Sequence, residues 1–220
     1  QYGHDRLECV AAILLAVVLF ATGIGIGIGG INKIIEGTAG KDEIPGMIAL
    51  IAAVASIVVK EGMFWYTRSA AKKINSGALM ADAWHHRSDA LSSVGALIGI
   101  GGARLGFPVL DPIASVVICV FIVKAAYDIF KDAIDKMVDK SCDEETEEKM
   151  CRLIEEQQGV LKVDVLRTRL FGAKMYVDIE IAADGDITLR EGHEIAQAVH
   201  DKVEEEFPLV KHCMVHVNPL

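Results

Sequence analysis

The chain has 220 residues, enough for one or two domains, and 52% of them are hydrophobic, with a mean hydropathy of +0.35. Its formal net charge of −9 sits in the second half, where 18 acidic and 9 basic side chains fall between Ser141 and Leu220. That balance argues against nucleic acid and suits cations, while five cysteines without a C-x-x-C pair exclude a disulfide framework and fit a reducing compartment for the second half.

The apolar residues are concentrated before residue 135. The first residue is Gln1 and no charged n-region leads to a cleavage site, so no signal peptide is expected, and the chain is expected to start inside a longer protein. Gln1 to Glu8 is short and polar. Cys9 to Ile31 carries no charge and is long enough to cross a hydrocarbon core of ~30 Å, which takes about 20 helical residues. Within it Gly23, Gly25, Gly27, Gly29 and Gly30 alternate with isoleucine. A lone strand cannot satisfy its backbone in lipid, so a helix is predicted, with small residues for close packing.

Asn32 to Glu43 reads as a polar turn and Ile44 to Tyr66 as a second span, with Pro45 tolerated at its start. Lys60 and Glu61 lie near its far end and are expected to snorkel to the interface. Thr67 to Gly77 holds Arg68, Lys72 and Lys73, a basic loop expected on the cytoplasmic side. Leu79 to Ala103 is the third span. Arg104 to Asp111 makes a tight turn with Gly106 and Pro108, and residues 112–133 form the fourth span, preceded by Asp111, for which an N-cap is one of two equal readings. Four spans that begin inside return the chain to the inside, which makes the acidic half cytoplasmic.

From Asp143 a soluble pattern takes over. Asp143 to Gln157 is an amphipathic helix on Met150, Leu153 and Ile154, ended by Gly159. Val160 to Arg169 and Lys174 to Ala182 are strands joined at Phe171-Gly172. Thr188 to Glu206 is a helix opened by a capping box of Thr188 and Glu191. Pro208 follows, then a last strand from Val210 to Val217.

The third span opens with A-D-A-W-H-H-R-S-D-A-L-S-S, Ala81 to Ser93. On a helix His85 and Asp89 stack one turn apart, with Asp82 on the same stripe and His86 turned about 100° away. An imidazole and a carboxylate at that spacing are half of a tetrahedral site for a divalent metal. Ionisable groups are costly in a bilayer and mark paths for ions or protons; a solvated helix start is the alternative.

This run resembles the fifth membrane helix of the cation diffusion facilitator family, proton-coupled exporters of zinc, iron, cobalt, cadmium and manganese. The opening Y-G-H-D-R-L-E is similar to the family's Y-G-H-x-K-x-E loop, and the ending H-V-N-P to its H-x-D-P close. The resemblance implies a membrane bundle of four helices here against six in the family, the first two lacking, over residues 1–140. A ferredoxin-like α+β cytoplasmic domain follows over 141–220. It implies His85 and Asp89 as the half of the transport site present, and His4 as a loop-site histidine whose partner precedes Gln1. Arg6 and Asp139 would be a charge pair locking the helices of two subunits together. In the cytoplasmic domain it points to Asp164, Glu180, His193, His216 and Asn218, where carboxylates and an amide are poorer zinc ligands than imidazoles. Cys213 stands near histidines as a further candidate, whereas His200 and His212 read as surface residues.

The function implied is efflux of a divalent metal by proton antiport, by a homodimer in a bacterial or archaeal cell membrane. Histidine with aspartate favours zinc as cargo, with iron, cobalt, cadmium and manganese within range; no cofactor is implied. The alternative is a membrane-anchored metal sensor or scaffold subunit without transport of its own. No nucleophile elbow, phosphate-binding glycine loop or H-E-x-x-H supports an enzyme.

Overall fold

The computed structural model describes residues 4–37, 47–105, 107 and 109–220. In order they form α1 (Arg6–Ile35), α2 (Met47–Ile74), α3 (Gly77–Arg104), α4 (Leu110–Met137), α5 (Glu144–Glu155), β1 (Lys162–Phe171), β2 (Lys174–Ala183), α6 (Leu189–Glu206) and β3 (Val210–Pro219). The predicted turn beyond Gly37, Pro45 at the head of the second span, and Gly106 and Pro108 lie outside the described residues. The chain divides into two units: Glu8–Ile134, and the segment before it together with Asp135–Leu220.

In the first unit α1 and α4 pack through the glycines. Gly23 faces Ile122, Gly27 faces Cys119, and Gly30 faces Pro112 and Ser115, whereas Gly25 and Gly29 meet open space. Three of the five glycines thus fall on one helical stripe and bring two backbones close, the small-residue packing expected where lipid offers no hydrophobic drive. Leu19 of α1, Ala81 of α3 and Ile118, Ile122 and Ile129 of α4 form the buried core of this bundle. Only 28% of the apolar windows of α1 and α4 are buried, and Leu14, Val17, Val120 and Phe121 are exposed. A core helix of a water-soluble domain would bury such a window; these two leave an apolar outer face.

Helices α2 and α3 are less apolar and run antiparallel, joined by Asn75 and Ser76. Asn75 takes a left-handed φ of 52°, a common way to end a helix. The basic loop predicted from Thr67 is instead helical to Ile74. Nothing in T-R-S-A-A-K-K-I breaks a helix, and the edge of an apolar run is not the edge of a hydrogen-bond ladder.

The second unit carries a three-stranded sheet in the order β1-β2-β3, with β1 and β2 antiparallel and β2 and β3 parallel. The two-residue hairpin places Gly172 at φ 63°, a conformation that favours glycine. The parallel pair needs a crossover, and α6 supplies it. Met150 and Ile154 of α5, Val199 and Val203 of α6, and Val177, Ile179 and Ile181 of β2 make one core on one face of the sheet. Both helix starts follow their sequence signals. The Asp143 side chain accepts from the Thr146 N–H at 3.0 Å, and Thr188 and Glu191 close a reciprocal capping box.

Candidate metal centre

The α2–α3 seam is polar from Ser56 to Glu61 of α2 and aromatic beyond. Because the helices are antiparallel about a short turn, residues early in α2 meet residues late in α3. Ser56 and Ser93 share a hydrogen bond of 3.1 Å; one turn on, the Lys60 ammonium donates to Asp89; then Glu61 meets Arg87 at 3.5 Å, and Phe64 packs edge-on to Trp84 with centroids 5.7 Å apart. Arg87 also lies over the Phe64 ring, and the Trp65 indole N–H donates to Glu61 at 3.1 Å. Lys60 and Glu61, expected near the far end of the second span, fall well before the end of the helix that carries it. Helix α2 runs to Ile74, so both stand in its middle, and each has a partner on α3.

Asp89 and Lys60 are each 34% exposed at the side chain. The Ser93 hydroxyl donates back to the Asp89 carbonyl at 3.1 Å and fixes the local turn. His85 is partly buried one turn before Asp89, its ring 6.3 Å from that of His86. Asp82, expected on the stripe of His85, pairs with His86 at 3.6 Å. Both spacings make neighbours on a helix, and the carboxylate of Asp82 turns to the i,i+4 partner. Among the described residues no three histidine, cysteine, aspartate or glutamate side chains converge on one point. What α3 offers is a two-donor array, with a cation already on one donor.

The other predicted positions divide. His4 is exposed before α1. Arg6 pairs with Asp139 at 2.5 Å within one chain, joining the start of α1 to the turn after α4, where Asp139 adopts φ 59°. Asp111 is not an N-cap: it sits inside the first turn of α4 and holds Lys33 of α1 at 2.9 Å.

In the sheet, Glu180 and His216 are register neighbours on β2 and β3. Asp164 falls at the register shift of β1 and accepts from Asn218 at 3.2 Å and Lys162 at 2.9 Å. The Lys162 ammonium, then the Asn218 amide, hold its carboxyl below the usual range. His193 stands exposed on α6, the helix that covers the other face, so His193 and His216 do not form one site within a chain. Cys213 is 2% exposed in the core. Burial pushes its thiol up to about 12 and keeps it in the neutral form at pH 7. His200, read as a surface residue, stitches α6 to β3: its Nδ1 lies 2.8 Å from the Cys213 carbonyl and its Nε2 3.3 Å from Glu204.

Known proteins share this organisation. Residues 1–138 match the family described as the cation efflux transmembrane domain, and residues 142–220 match the cation efflux protein, cytoplasmic domain. The chain is 33% identical over 230 residues to metal tolerance protein C1 of Arabidopsis thaliana, covering 99% of this chain and 49% of that one. It is 30% identical over 226 residues to the manganese efflux system protein MneP of Bacillus subtilis (strain 168), covering 99% of this chain and 74% of that one. The chain thus spans about half of the plant relative and about three quarters of the bacterial one. Among solved structures, MamM-CTD 215-293 is similar at 26% identity and a TM-score of 0.34, covering 35% of this chain and 98% of that one.

Proposed function

The chain belongs to the cation efflux family, and on that premise we propose that the whole protein carries a divalent metal out of the cytoplasm in exchange for protons. The observation that carries this reading is the placement of His85 and Asp89 one turn apart on α3, beside a seam of paired charges that a mere membrane anchor would not need. Both donors bind metal only when deprotonated, so protons and metal compete for them. A proton-rich outer compartment then favours release, and the cytoplasm favours loading.

Zinc is the favoured cargo because an imidazole joins the carboxylate. The relative named for manganese efflux makes manganese the comparison to run beside it. Residues 142–220, which match the cytoplasmic domain, serve as the dimerisation module of a homodimer, and the acidic excess there attracts cations toward the membrane unit.

The test is metal content in cells. Cells producing the full-length protein in medium loaded with zinc, or separately with manganese, are expected to hold less of the exported metal than cells without it. Unchanged content for both metals, from a protein that reaches the membrane, would support the sensor or scaffold reading instead.

A further inference from the structure

We propose that Lys60 is a built-in competitor for the metal: its ammonium holds Asp89 until a divalent cation displaces it, and it thereby sets how tightly the half-site binds. The inference rests on the reading of Asp89 as a metal ligand.

Lys60 stands in the middle of α2, on the face that meets α3. Its ammonium donates to the Asp89 carboxylate, and both side chains are about two-thirds buried. A charge so placed in a membrane unit is costly alone and far less so when paired. The neighbouring Glu61 is engaged by Arg87 and Trp65, so the seam has two separate pairs and Lys60 is the cation at Asp89.

A divalent ion on Asp89 would bring two positive charges to the atom that Lys60 already holds. Like charges at hydrogen-bond distance repel strongly in a site of reduced dielectric, so Lys60 and the metal exclude each other. The Ser56 and Ser93 hydroxyls, one turn along the seam, give a displaced ammonium polar oxygens to turn toward. Binding is then an exchange of one cation for another, and the carboxylate is not left bare after release.

A purely structural ion pair predicts something else: its loss lowers stability and leaves metal affinity unchanged or weaker. The experiment measures zinc uptake by the full-length protein in vesicles at pH 7.5, with thermal stability recorded for each variant. Lys60→Met, which keeps the stem, is expected to lower KM by about two- to fivefold and to slow turnover, the magnitude of one partly exposed ion pair at a metal ligand. Lys60→Arg keeps the charge and is expected to stay near wild type. Lys60→Gln stands in if the methionine variant does not fold, with the same tightening expected. An unchanged or raised KM in a folded neutral variant overturns the proposal. Asp89→Ala separates the two ideas. If it transports like wild type, the metal-ligand reading itself fails. If it is inactive while the neutral Lys60 variants keep the wild-type KM, only the role of Lys60 fails.

Discussion

Asp89→Ala in the full-length protein is expected to cut zinc uptake by at least about a hundredfold while the protein still reaches the membrane. Two losses combine. The site gives up a charged oxygen donor, and changes to partners that merely support a ligand already cost about 10–100-fold. The substitution also leaves Lys60 without its carboxylate in the α2–α3 seam, so a lower melting temperature accompanies the loss of transport. Asp89→Asn keeps the shape and a neutral oxygen, and should recover part of the stability and little of the transport. Vesicle uptake, with protein content fixed by immunodetection, checks this; near-normal rates in Asp89→Ala would remove α3 from the metal path.

The second large effect concerns packing. Gly27→Leu is expected to lower stability by about 1–3 kcal/mol or more and to yield polydisperse protein in detergent. A Cβ at Gly27 would stand 2.6 Å from the Cys119 sulfur, and one at Gly23 2.8 Å from an Ile122 methyl carbon. Relieving either contact requires the facing Cys119 or Ile122 side chain to shift or α1 to move from α4. Gly25→Leu is the control: it points into open space and should melt within about 0.5 kcal/mol of wild type. Thermal melts and size-exclusion profiles of the two variants side by side decide it, and equal behaviour would mean that the glycine stripe does not set the α1–α4 distance.

The contrast between those glycines shows what could be read in advance. Composition announced that the run from Gly23 to Gly30 was made for close approach, but the facing stripe follows from where α4 lies. Local signals held up best. The capping box at Thr188, the turn at Gly172 and the 3.6-residue spacing of Met150 and Ile154 depend on neighbours in sequence, and the structure keeps all three. Fold class was legible for the same reason, because the soluble half carries strong local punctuation.

The site was half legible. Spacing alone singles out His85 and Asp89 as the proposed half-site, but not the cation on Asp89. Hydropathy put Lys60 near the far end of an apolar run and is silent on what it faces, whereas the packing of α2 sets it against Asp89 on α3. A signal was there. Folding α2 against α3 about Asn75 and Ser76 puts Lys60 opposite Asp89 and Glu61 opposite Arg87, two complementary pairs in matching order. Nearness to histidines in sequence says nothing about the face of a strand, and the Cys213 side chain points into the core. The division of His193 from His216 likewise follows from the sheet, since one sits on the covering helix and the other on a strand.

The central claim is that metal leaves through the half-site on α3 in exchange for protons. The most direct measurement is zinc uptake into proteoliposomes by the full-length protein under an imposed pH gradient, wild type beside His85→Ala. The account predicts rapid uptake in the wild type that stops when the gradient is collapsed, and little uptake in the variant with or without it. Wild-type uptake indifferent to the gradient, or equal uptake by His85→Ala, would contradict it.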